Sequence, residues 1–188
     1  MNAAWDLLAG HIRGCTACPD LVRTRTQVVV GTAPEHARLL VVGEAPGAQE
    51  DLDGVPFVGR SGQLLDRLLA EAGLARADVA VLNTVKCRPP GNRVPTRQET
   101  ASCRGWTGRQ LELTDPWLVV PLGLSATIWF LGRTTLSSAR GRVHEVGGRR
   151  VLPTYHPAAA LRGGPQGEPL RLLREDLLLA AGLVGAGS

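Results

Sequence analysis

Leu39-Leu40-Val41-Val42-Gly43-Glu44-Ala45-Pro46-Gly47-Ala48-Gln49-Glu50-Asp51, continuing through Pro56-Phe57-Val58-Gly59-Arg60-Ser61-Gly62, decides how the chain is built. The apolar run Leu39 to Val42 suits a strand buried on both faces. It breaks at Gly43 into a polar segment read as a long loop. Leu64, Leu65, Leu68, Leu69 and Ala72 then recur at helical spacing, and Gly73 is placed to stop a helix running from about Ser61. Strand, loop and helix in that order put the loop at the carboxyl end of the strand, where open α/β sheets bind their ligands. A loop this long inside a compact domain is more often functional than a bare crossover.

Working outward, Val79 to Leu82 reads as a second buried strand ending at Asn83, and Arg88-Pro89-Pro90-Gly91-Asn92-Arg93 as a loop that adjacent prolines keep from being helix. Trp117 to Leu122 is a third strand followed by a helix from Gly123 to Leu131. Arg150 to Tyr155 is a fourth, running into His156-Pro157. Gln27 to Val30 reads as an edge strand, and Arg140 to Gly148 as an edge hairpin turning at Gly147-Gly148. Thr96 with Glu99 makes a capping box, although Gly105 and Gly108 interrupt the helix it would open. Leu170, Leu173, Leu177 and Ala181 build a closing amphipathic helix. Alternating strands and helices predict an α/β fold: a single-domain three-layer sandwich with a four-stranded parallel central sheet flanked by helices. The domain is expected over residues 1–184, with 185–188 a frayed tail. The strand ends would present Glu44, Asn83, Gly123 and His156 along one edge.

The bulk properties narrow the class. At 188 residues, one well-buried core is the default, and 44% hydrophobic with 20% charged residues describes a soluble globule. No apolar run is long enough to span a bilayer, and the N-terminus lacks signal-peptide character, so a cytosolic protein without a membrane partner is expected. The net charge of +4 is modest support for a polyanionic partner. Lys86 is the only lysine among 21 basic residues; GC-rich codon usage accounts for most of that bias. In a cytosolic chain, Cys15, Cys18, Cys87 and Cys103 are a metal site or scattered core thiols rather than disulfides. Four cysteines suit zinc or an iron–sulfur cluster. A zinc ribbon usually offers two close pairs; here fifteen residues split the second pair, which favours the cluster.

Gly43-Glu44-Ala45-Pro46-Gly47, Pro56-Phe57-Val58-Gly59-Arg60, Asn83-Thr84-Val85-Lys86-Cys87-Arg88-Pro89-Pro90-Gly91-Asn92-Arg93 and His156-Pro157, together with the four cysteines, resemble the family 4 uracil-DNA glycosylases, the iron–sulfur branch of their superfamily. The resemblance implies a monofunctional glycosylase of base excision repair. Such an enzyme flips uracil out of DNA, hydrolyses its N-glycosidic bond and leaves an abasic site. It also implies a 4Fe-4S cluster on Cys15, Cys18, Cys87 and Cys103. Phe57 would stack on uracil. Asn83 would accept from N3–H and donate to O4, a pattern cytosine opposes. His156 would donate to O2 as negative charge collects on the leaving base, and backbone amides around Ala45 would add contacts.

Relatives in the best-known branch carry an aspartate at the position of Ala45, which alanine cannot replace. Glu44 or Asn92 would then position the water, with a structural acid the alternative for Glu44. Glu50 would reject the thymine methyl. Leu161 would wedge the stack or be plain core, Arg162 would reach a phosphate, and Arg60 and Ser61 would bind phosphate at a helix N-terminus. Uracil-containing DNA is the expected partner of a monomeric, nucleoid-associated cytoplasmic protein, with downstream repair proteins as further partners. The competing readings are an iron–sulfur DNA-binding or redox-sensing module without glycosylase activity, and a covalently DNA-attached relative. The latter is disfavoured because Arg88 to Thr96 contains no histidine.

Overall fold

The computed structural model describes residues 3–186. In chain order the elements are α1 (Ala3–Arg13), α2 (Pro19–Thr24), β1 (Leu39–Gly43), α3 (Ala48–Asp53), α4 (Arg60–Glu71), β2 (Val79–Asn83), α5 (Arg97–Thr114), β3 (Leu118–Pro121), α6 (Gly123–Leu131), α7 (Leu136–Ala139), β4 (His144–Val146), β5 (Arg149–Val151), α8 (Pro157–Gly163) and α9 (Glu168–Ala186). The sheet order is β2-β1-β3-β5-β4. The first four of these strands run parallel, and β4 adds an antiparallel fifth at the edge through a hairpin turning on Gly147 and Gly148. Both glycines have positive φ, as a tight two-residue hairpin turn demands.

β1 is buried throughout because its alternate residues serve two cores. Leu40 and Val42 face a cluster built with Trp5, Leu8 and Ile12 of α1 and Cys103 and Leu111 of α5. Leu39 and Val41 face Leu64, Leu65, Leu68 and Leu69 of α4 and Leu173 and Leu177 of α9. One strand feeding both faces produces the three layers.

Four details depart from the sequence reading. The Gln27 to Val30 segment forms no strand; instead Val29 N–H bonds Lys86 O, and Thr32 bridges Val81 alongside β2. Part of the supposed long loop is helical: α3 is capped at Gly47, whose N–H bonds the Glu50 carboxylate. α5 continues past Gly105 and Gly108, which lie where a Cβ would meet open space. Finally, α9 reaches Ala186, two residues into the supposed frayed tail, whose remaining two residues lie outside those described.

Candidate active site

The parallel register fixes which residues share the carboxyl edge. Gly43 pairs with Asn83 at the ends of β1 and β2, and Leu122 bridges Thr154 beyond β3 and β5. A cavity of about 600 Å³ opens there, lined by Glu44, Ala45, Asn83, Gly123 and His156 from the strand ends and by Phe57, Glu50 and Ser61 from the crossing segments. The structure thus brings together the polar strand tips that the sequence placed on one edge.

Asn83 is buried, and its side-chain oxygen has no hydrogen-bond partner. An orphaned buried acceptor costs about 1–3 kcal/mol, a cost that a donor entering the cavity would relieve. The space in front of it exists because residue 43 is glycine: a Cβ there would lie 2.4 Å from Asn83 Oδ1 and 2.6 Å from the Phe57 ring. Phe57 adopts φ 56°, a left-handed conformation that is strained for a non-glycine residue. Its carbonyl passes so close to α4 that a Cβ on Gly62 would collide with it, and Arg76 donates to the neighbouring Pro56 carbonyl at 3.0 Å. These contacts hold the Phe57 ring at the cavity wall, with its centroid 5.7 Å from that of His156.

His156 caps α8, its Nδ1 accepting from Ala158 N–H at 3.1 Å. That bond assigns the proton to Nε2, which is left as a donor. Burial first, and the charge of Arg162 second, push the imidazole down to about 4. The ring is therefore a neutral donor at ordinary pH. Gly123 has φ +83°, and a Cβ there would sit 3.0 Å from His156 Cβ. A side chain at the end of β3 would displace the histidine.

The remaining candidates take varied places. Glu44 lines the cavity, while its main-chain carbonyl accepts from Thr84 Oγ1. Glu50 is buried, and its two oxygens accept from the N–H groups of Val58, Gly59 and Gly47. It therefore ties both halves of the loop together beside the cavity. Asn92 stands exposed on the rim with φ 56°, and its oxygen accepts from Arg88 Nε at 2.7 Å. Arg162 and Ser61 reach the cavity, whereas Arg60, exposed in the first turn of α4, and Leu161, 36% exposed on α8, stand outside it. Gly59 caps α4. The sequence reading missed Val94, Leu124 and Ser125 on the rim. For Leu124 and Ser125 the available signal was their place directly after a strand tip.

The four cysteines are unbonded to one another: Cys15 and Cys18 lie between α1 and α2, Cys87 follows the tip of β2 and Cys103 sits in α5. Cys87 Sγ accepts from Arg25 at 3.0 Å, and Cys15 Sγ from the Trp106 indole at 3.4 Å. Burial pushes the thiols of Cys18 and Cys87 up, and that of Cys103 up to about 11. The four lie within electrostatic reach: Cys18 and Cys87 each feel Cys15, and Cys103 feels both Cys87 and Cys18. Among the described residues no three His, Cys, Asp or Glu side chains are poised to grip a metal ion. The donor chemistry, four thiols with N–H groups aimed at two of the sulfurs, nonetheless fits a thiolate-held group.

A larger hollow of about 950 Å³ lies at the amino end of the sheet, beside Trp5 and Trp117. Arg38 and Arg150 stack on the Trp117 ring, and His36 lines the hollow, whereas Asn83 and His156 do not.

Comparison with known proteins agrees with this geometry. The family model described as "Uracil DNA glycosylase superfamily" matches residues 30–178. A type-4 uracil-DNA glycosylase of Thermotoga maritima is 42% identical over 175 residues, covering 92% of this chain and 90% of its own. One from Archaeoglobus fulgidus is 44% identical over 83% of this chain and 82% of its own. A type-5 uracil-DNA glycosylase of Pyrobaculum aerophilum is 33% identical over 82% of each.

Proposed function

Because the chain belongs to the uracil DNA glycosylase superfamily, we propose that it excises uracil from DNA by hydrolysing the N-glycosyl bond, with the strand-tip cavity as the active site. Similarity to type-4 enzymes over most of both chains supports this reading and does not favour a DNA-binding module without catalysis. The observation that carries it is the buried, unpartnered oxygen of Asn83 in a cavity that also holds His156.

The everted base enters against Phe57, a stacking contact of about 1–3 kcal/mol. Uracil N3–H satisfies the orphaned Asn83 oxygen, and the amide nitrogen donates to O4. Cytosine presents an acceptor at N3 and donors at N4, leaving both ends of the amide mismatched. As the glycosidic bond breaks, its electron pair passes to uracil N1 and spreads onto O2. There the Nε2–H of neutral His156 donates, with amides near Ala45 in support. Such a donor is worth roughly 3–4 kcal/mol by analogy with oxyanion holes. Water then captures the sugar cation and loses its proton to solvent. Glu44 positions that water, with Asn92 beside it on the rim, and Glu50 stands against the thymine methyl.

Leu161 wedges the stack, while Arg162, Arg60 and Ser61 hold phosphates. Cys15, Cys18, Cys87 and Cys103 would hold a 4Fe-4S cluster, which when bound pins their loops together near the DNA. The enzyme acts as a monomer on chromosomal DNA in the cytoplasm and passes abasic sites to downstream repair proteins. No described helix is long and apolar enough to cross a membrane.

The test is release of uracil from an oligonucleotide, read as alkali-labile sites. His156→Ala should lower the single-turnover rate by about 100-fold or more while the protein stays folded. An unchanged rate would remove the role given to His156.

A further inference from the structure

Lys86 is the chain's only lysine among 21 basic residues. It is 1% exposed, a rare state for a residue that is almost never fully buried unless paired. No carboxylate of the described residues forms an ion pair with it; burial pushes its ammonium down to about 7, opposed only in part by the neighbouring Cys103 and Cys87. Its Nζ donates to the Asn83 main-chain carbonyl at 2.6 Å. Its main chain reaches both sides: the N–H lies near enough to the Cys103 thiol to oppose the effect of burial there, and the carbonyl accepts from Val29 N–H. The residue therefore spans from the cysteine site to the tip of β2. An arginine, with five donors in a planar fork, does not suit this enclosed place. A compact ammonium with three donors does.

We propose that Lys86 is a positioning residue joining the cysteine site to base recognition: its ammonium balances the negative charge of the loaded thiolate site and, through the Asn83 carbonyl, holds the base-reading amide in place. This rests on the assignment of Asn83 to uracil and of the four cysteines to a bound cluster. A buried cation without an anion is costly. The loaded site supplies that anion, so loading and the aim of Asn83 become coupled.

The test compares iron-loaded wild type, Lys86→Met and Lys86→Arg in single-turnover uracil release, binding to abasic DNA and the reduction potential of the bound group. Lys86→Met should release uracil at least tenfold more slowly, bind abasic DNA within twofold of wild type and show a more negative potential. Lys86→Arg should restore the potential without restoring the rate. Selective ¹⁵N-lysine labelling gives one side-chain signal in the wild type, and free uracil should shift it. If Lys86→Met does not fold, that signal decides: a shift supports the proposal and an unmoved resonance overturns it. A rate and potential unchanged in Lys86→Met overturn the proposal alone. No uracil release by wild type overturns the reading of the pocket and the proposal with it.

Discussion

At the scale of single residues, the proposed chemistry rests on a neutral histidine and an amide oxygen without a hydrogen-bond partner. His156 has its proton on Nε2 because Ala158 N–H occupies Nδ1, and burial holds its pKa near 4 against an ordinary 6.5. The rate of base release should therefore show no titration near 6.5 from this group, and should fall only as pH approaches 4. A pH profile of the single-turnover rate checks this. The sign for stability follows from the same shift. The folded pKa is depressed, so the contribution of the neutral ring is present above about 6.5 and is lost as pH falls toward 4. Gly43 offers a sharper test of the pocket. Its substitution by alanine puts a methyl group within 2.4 Å of Asn83 Oδ1 and against Phe57. Gly43→Ala should cut uracil release by 100-fold or more, and circular dichroism should show the fold retained.

Elements explain what could and could not be read in the sequence. β1, β2, β3 and α6 were legible because continuous apolar runs and a strand-helix junction leave few alternatives. α3 was not, because Pro46, Gly47 and three acids look like loop. It forms because the carboxylate of Glu50 reaches back to the Gly47 N–H and across to Val58 and Gly59, a tertiary closure with no periodic signal. The Gln27 to Val30 segment has strand composition but forms no ladder; the bridge to β2 is made beyond it, by Thr32 with Val81. At the site, the tips of β1 and β2 and His156 were legible from strand order, whereas the orphaned Asn83 oxygen and the tautomer of His156 exist only in three dimensions. α5 carries its own prediction. Its capping box joins Thr96 to Glu99, whose carboxyl is held down to about 2, chiefly by Arg93. Thr96→Ala should lower unfolding free energy by about 1 kcal/mol, measured by urea denaturation, with uracil release unchanged at 25 °C.

Across the whole molecule, the cavity draws on segments separated by more than a hundred positions of chain, from Gly43 to His156. Behind it, Thr154 and Arg140 both bond Asp176 of α9, so the approach to His156 is anchored by the final helix. The proposed catalytic chamber consequently has no existence in fragments: neither half of the polypeptide owns a usable remnant of it. Turnover should act as a probe of global cooperativity, vanishing along the same urea curve as ellipticity. Activity lost well before the fold would mean that the strand tips can part while the layers hold.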